Sequence, residues 1–195
     1  MLFAVLTLST SLVSTVGAQS TPANASTGTR PAATDRESTR LQNDAIESIK
    51  SALDGRRSTE ALQVAEKALK QFPANVQMRF LYGVALTDAG QTDQAIEHFQ
   101  TMVLDHPELA EPYNNLAVLH AQRGDLKAAR DSLESAIANG PAYTLAYENL
   151  GDVYLRLAVQ AYESGSEAPA ATAVIRRKLV LTRSLVEQVS PDANR

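Results

Sequence analysis

The sequence predicts an all-α protein built of antiparallel helix pairs stacked in series. Three observations carry that prediction. Ala and Leu dominate while Val, Ile, Tyr and Phe are thin over most of the chain, a composition that favours helices over strands. The chain also resembles itself at a spacing of 34 residues: Pro73, Pro107 and Pro141 fall in step, as do Ala61, Ala95 and Ala129, and Gly83, Ala117 and Gly151. Between the apolar-periodic runs stand compact turn signals, Gly90-Gln91-Thr92-Asp93 and Gly124-Asp125.

At 195 residues and 44% hydrophobic content, the chain has material for one domain with tails and not for a second independent core. Its formal net charge is -4, and no run of Lys or Arg forms a stripe able to neutralise phosphates, which argues against nucleic acid as a partner. The absence of Cys excludes a disulfide framework, a thiol nucleophile, a thiolate zinc site and a lipidated N-terminal Cys.

Taken in order, residues 1–18, MLFAVLTLSTSLVSTVGA, carry no charge, hold an apolar stretch from Leu2 to Leu8, and end in the small residues Val16-Gly17-Ala18. They resemble a secretory signal peptide cut after Ala18, although no Lys or Arg follows Met1 to form a basic start. The rival is a retained anchor helix, against which Thr7, Ser9, Thr10, Ser11, Ser14 and Thr15 interrupt a run shorter than the roughly 20 apolar residues a span requires. Residues 19–40 are rich in Ser, Thr, Ala, Pro and Asn and read as a flexible linker. Asn24-Ala25-Ser26 fits a glycosylation sequon, of meaning only in a eukaryotic secretory pathway.

Four units follow, at 42–75, 76–109, 110–143 and 144–165. In each, a first and a second helix must cross closely. Gly83 or Ala117 in the first helix, and Ala95 or Ala129 in the second, are small where the two meet. Tyr82, Phe99, Leu116 and Leu133 fill the space around the crossing. Gly90 and Gly124 supply a helix-ending residue and Asp125 a capping side chain, so that one helix stops and the next begins within a few residues. The prolines close each second helix, since they cannot continue its hydrogen-bond ladder.

These residues resemble the tetratricopeptide repeat family, whose second helix reads Ala-x3-Phe-x2-Ala before a closing Pro. The pattern stands here as Ala95-x3-Phe99-x2-Met102 with Pro107, and as Ala129-x3-Leu133-x2-Ala136 with Pro141. The unit at 42–75 departs from it, with Ile49 in the small slot and Ala65 in the aromatic one. The resemblance implies a right-handed superhelix whose first helices line a concave groove that holds a polypeptide.

In the unit at 144–165 the turn glycine is missing, and Ala158-x3-Tyr162-x2-Gly165 repeats the second-helix pattern five residues early. Loss of the turn predicts one continuous, fused helix from about Ala142 to Ser164, broken by Ser166-Glu167-Ala168-Pro169. A last amphipathic helix, Ala171 to Val189 within a segment 168–190, carries Val174, Leu181 and Leu185 along one side and is expected to cap the apolar end of the stack.

For chemistry the signals are poor. His98, His106 and His120 lack the one-turn spacing of paired metal ligands, and His120 stands in the slot of Leu86 and Tyr154, which reads as core. No phosphate loop, nucleophile elbow or paired-carboxylate constellation is evident, so neither enzyme, cofactor nor metal is expected. The expected site is the groove: Phe80, Val84 and Val118 as an apolar floor, Asn114, Asn115 and Asn149 as amides able to hold an extended backbone, and Glu148 and Asp152 as acidic wall. Glu111 and Asp88 add charge nearby, against Lys50 and Arg156. Asn114 and Glu148 occupy positions where carboxylate-holding members of the family carry Lys or Arg, so a C-terminal carboxylate is disfavoured. The expected partner is a protein or peptide with apolar and basic residues. The expected role is that of an exported scaffold or chaperone-like adaptor, periplasmic if bacterial. A membrane-anchored adaptor facing the periplasm and an accessory subunit of an envelope enzyme are the alternatives.

Overall fold

A computed structural model describes residues 33–189, and over that span the chain forms α1 (Ala33–Asp54), α2 (Ser58–Gln71), α3 (Val76–Asp88), α4 (Thr92–Asp105), α5 (Ala110–Gln122), α6 (Leu126–Asn139), α7 (Thr144–Ser166) and α8 (Ala173–Val189). The expected signal peptide, and the linker as far as residue 32, lie outside the described residues. From residue 33 the linker reading is corrected. Residues 33–40 belong to α1, where Asp35 sits in the first turn, Arg40 reaches Asp44 one turn on at 3.7 Å, and the Thr39 hydroxyl donates to the Asp35 carbonyl at 2.8 Å. The charged pattern Asp35-Arg36-Glu37 with Arg40 supports helix, and it outweighs the Ser and Thr around it.

Consecutive helices pack as antiparallel neighbours, and the first helices α1, α3, α5 and α7 also touch in sequence, so the pairs stack into a solenoid. Turn chemistry sets the pairing. Gly90 (φ 71°) and Gly124 (φ 80°) hold the left-handed conformation, with Gln91 N–H donating to the Leu86 carbonyl and Asp125 N–H to that of His120. One repeat earlier the same slot holds Arg56, which adopts φ 53° despite its Cβ. One repeat later it holds Ala158, with no left-handed residue, and α7 runs on unbroken for 23 residues. Asn75 and Asp125 cap α3 and α6 by accepting from Met78 N–H and Ala128 N–H, whereas Gln91 gives α4 no side-chain cap.

The core comprises one cluster running from α1 to α5 and a second spanning α5 to α7. At its densest point Phe99 of α4, fully buried, sits across Gly83 of α3 with its ring 6.0 Å from that of Phe80. A fully buried aromatic of this kind contributes about 3–5 kcal/mol against alanine.

α8 folds back along α7. Leu179 is its buried residue, Ile175 Cδ1 occupies the space that a Cβ on Gly165 would need, and Lys178 Nζ lies 5.8 Å from the centre of the Tyr162 ring. Here the sequence reading needs correction: Val174, Leu181 and Leu185, expected to face the stack, are 63%, 56% and 48% exposed. The apolar sector of α8 is wider than one helix can cover, and the half centred on Leu179 is the half that meets α7.

Candidate protein-binding surface

Of the eight residues expected to line the groove, the structure buries six. Phe80, Val84 and Val118 belong to the core, and Asn114, Asn115 and Asn149 are at most 3% exposed. As an open groove lining, these six are therefore corrected. Phe80, Val84 and Val118 pack into the core, Phe80 with its ring 6.0 Å from that of Phe99 on α4, so the row is filled by the protein's own side chains. Asn149 Nδ2 of α7 donates to Asn114 Oδ1 of α5 at 2.8 Å, tying neighbouring first helices together, while Asn115 Nδ2 donates back to the Glu111 carbonyl at 2.9 Å. The amides thus serve the stack. Asn114 Nδ2 and Asn115 Oδ1 make no hydrogen bond of their own among the described residues, leaving buried polar capacity unsatisfied.

Glu148 stays exposed and Asp152 half-buried, one turn apart on α7. Burial pushes the Asp152 carboxyl above its usual range, with Arg156 pulling the other way and Glu148 adding to the rise. The Arg156 guanidinium is pushed down by burial, opposed by Asp152.

Following the same face of α7 by steps of three and four residues leads from Glu148 and Asp152 to Arg156, Val159 and Glu163. Of these, Arg156 and Val159 line an open cleft of about 740 Å³ bordered by the α5–α6 turn, the second half of α7 and the C-terminal half of α8. Ala121, Leu126, Val159 and Val186 give it apolar walls, Gln122 and Gln160 contribute amides, and Arg156, Arg183 and Glu187 stand at its polar side. Arg183 is engaged, donating to Glu163 at 2.6 Å. Four carboxylates (Glu148, Asp152, Glu163 and Glu187) thus face two guanidinium groups along this surface. The cleft exists because α7 outruns the length of an ordinary first helix and α8 leans on the excess.

Sequence reasoning found Glu148, Asp152 and Arg156 but missed Val159, Arg183, Val186 and Leu126. The missing turn glycine was the available signal, since a continuous α7 requires whatever follows to dock beside its second half.

Of the three histidines, His98 serves packing. His98 Nε2 lies 2.7 Å from the Arg79 carbonyl and donates to it, its ring meets Tyr82 edge-on at 5.1 Å, and burial lowers its pKa below 6.5. Among the described residues no three His, Cys, Asp or Glu side chains form a group able to hold a metal ion.

Comparison with known proteins identifies the architecture. Two profiles, each described as a tetratricopeptide repeat, match residues 47–110 and 86–150. The chain belongs to the tetratricopeptide repeat family. It is 31% identical over 78 residues to a TPR repeat-containing protein of Pseudomonas aeruginosa, covering 40% of this chain and 74% of that one. It is 27% identical over 111 residues to a probable biofilm formation methyltransferase of Pseudomonas putida, covering 57% of this chain but only 26% of that protein. The likeness to the methyltransferase is thus confined to about a quarter of its length. Among solved structures, a thermophilic TPR protein of Thermus thermophilus superposes with a TM-score of 0.57 at 22% identity, over 75% of this chain and 84% of that one, which shows a shared fold. The TPR fold supports a scaffold for protein–protein interaction.

Proposed function

We propose that this protein is a non-enzymatic, exported TPR adaptor that holds a polypeptide segment bearing an apolar anchor beside basic residues. The observation that carries the reading is the continuity of one α7 face from the acidic pair Glu148 and Asp152 into the apolar cleft at Val159, Val186 and Leu126. An apolar side chain seated there is removed from water, and a Lys or Arg one turn away along the ligand meets the carboxylates. The cleft supplies affinity by burial, and the charges supply orientation and rate of encounter.

Export is part of the proposal and rests on residues 1–18, with cleavage after Ala18 giving a mature chain that begins at Gln19. In a bacterium the compartment is the periplasm and the role is scaffolding or chaperone-like handling of envelope proteins. Among the described residues no helix is long and apolar enough to cross a membrane.

The test compares proteins captured from an envelope extract by the native chain, by a Glu148→Lys, Asp152→Lys double variant and by Val159→Asp. Partners lost from both variants, and released from the native chain by salt, support the reading. Partners captured equally by all three at every salt concentration refute the surface. Intact mass of the exported protein decides the leader: a retained Met1, or release only by detergent, refutes cleavage.

A further inference from the structure

α8 ends the stack, and α7 is the one helix it packs against among the described residues. Its seam with α7 is Ile175, Leu179, Thr182 and Val186, spaced as one face of a helix and all at least partly buried. The remainder of α8 faces solvent, yet much of it is apolar. Val174, Val180, Leu181, Leu185 and Val189 are 63%, 66%, 56%, 48% and 49% exposed, and no other described helix displays so many large apolar side chains.

At about 100° per residue, Val174, Leu181, Leu185 and Val189 form one stripe along α8. Arg177 borders the stripe on one side. On the other, Lys178 leans toward α7, its Nζ 5.8 Å from the centre of the Tyr162 ring. α8 carries Arg176, Arg177, Lys178 and Arg183 against Glu187 alone, in a chain whose formal net charge is -4. Arg183 is turned to Glu163, whereas Arg176, Arg177 and Lys178 are exposed and make no ion pair among the described residues. Basic charge is thus gathered on the helix that bears the exposed apolar residues.

We propose that this face of α8 binds the surface of an anionic lipid bilayer. The helix lies along the surface, with Val174, Leu181, Leu185 and Val189 in the boundary between headgroups and acyl chains and with Arg177 and Lys178 against lipid phosphates. Charge names the occupant: cations bordering an apolar stripe match anionic headgroups above hydrocarbon, and their long stems let the charged ends stay among the phosphates while the stripe sinks. Shape favours a bilayer over a protein. A stable protein pair buries about 800 Å² on each side. The crown of one helix about 25 Å long is a narrow convex ridge, around which lipids close without needing a matching groove. Arg183 and Val186, which line the cleft, lie on the other side of α8 from the stripe, so a bilayer seated on the stripe leaves the cleft open to a polypeptide.

The test is co-sedimentation of the full chain with vesicles of phosphatidylcholine alone and of phosphatidylcholine mixed with an equal part of phosphatidylglycerol. Every protein compared shares residues 1–18, so binding by that apolar segment is common to all. The native chain is expected to bind the mixed vesicles about ten-fold or more tightly than the uncharged ones, and to be released by salt. Leu181→Asp with Leu185→Asp interrupts the stripe, and Arg177→Glu with Lys178→Glu reverses its border. Each pair should weaken binding to the mixed vesicles about ten-fold or more, with an unchanged far-ultraviolet spectrum because all four side chains are exposed. Lys67→Glu with Lys70→Glu makes an equal charge change at exposed positions of α2 and should leave binding as it is. A native chain that ignores the vesicles, or binds both kinds equally, overturns the proposal. So does binding that survives both α8 variants, or binding lost equally in the α2 control. A chain that ignores the vesicles but takes up polyglutamate, or doubles its mass until Leu181→Asp with Leu185→Asp restores the monomer, assigns the stripe to an acidic polypeptide or to a second copy and overturns the proposal likewise.

Discussion

Gly83 and Gly151 occupy one slot of the repeat, yet replacing each by alanine should move stability in opposite directions. In a helix interior, Gly→Ala gains about 0.5–1 kcal/mol by restricting the unfolded chain. At Gly151 nothing opposes the gain, because no atom lies within 4 Å of the new Cβ. At Gly83 the Cβ would meet Phe99 Cζ at 2.6 Å, Phe99 Cε1 at 2.7 Å and His98 Cδ2 at 2.9 Å. Phe99 cannot yield cheaply, since it is fully buried with Phe80 against it. Overpacking of this kind costs about 1–3 kcal/mol, which leaves a net loss of about 0.5–2 kcal/mol after the helix gain.

The assay is urea unfolding followed by helix circular dichroism, as the chain has no Trp to report by fluorescence. With a slope of about 1–3 kcal/mol per molar urea, a change of 1 kcal/mol moves the midpoint by about 0.3–1 M. Gly151→Ala should shift it upward and Gly83→Ala downward. Two shifts of the same sign would refute the claim that the fourth unit lacks its second helix at this face.

Arg56→Gly should raise stability by about 1 kcal/mol in the same assay, because a non-glycine residue at φ 53° bears the cost of the left-handed conformation. No gain would show the strain to be relieved elsewhere. His98 sets a pH dependence. Its folded pKa lies below 6.5, so the folded state binds fewer protons and stability falls as pH drops through the unfolded value toward the folded one. His98→Gln, which keeps a donor for the Arg79 carbonyl, should flatten urea midpoints compared between pH 7.5 and 5.5, near the ordinary histidine value; an unchanged slope would assign the effect to other groups. Asn149→Ala should cost about 1–3 kcal/mol by stranding Asn114 Oδ1 between α5 and α7, and a neutral result would show the inter-helix amide pair to be dispensable. Removing residues 168–195 should expose the α7 seat of Leu179 and Ile175, seen as aggregation or a lower melting temperature.

The sequence by itself determined the fold to a considerable depth. Prolines, glycines and alanines recurring every 34 residues mark where helices stop, turn and cross, and each of those constraints is local, or reaches only to the adjacent helix. The same regularity told that the fourth unit departs, since the missing glycine at position 158 lies in an otherwise periodic series. What the sequence could not decide was which residues of a first helix remain open to solvent. Asn114, Asn115 and Asn149 look like surface amides in a linear reading, yet they are buried because the spacing between neighbouring first helices, a property of superhelical packing across repeats, closes over them. The start of α1 was hidden for a different reason, since residues 33–40, with Thr34, Ser38 and Thr39 among them, read as linker until Asp35, Arg36 and Arg40 are seen on the helix that the stack supports. Likewise the apolar sector of α8 admits two docking angles. Only tertiary contact chose the half with Leu179, leaving Leu181 and Leu185 outward. Periodicity records which side of a helix is apolar, but how much of that side is covered depends on the angle and distance at which another helix lies against it, and these are set by the packing of side chains far apart in the sequence.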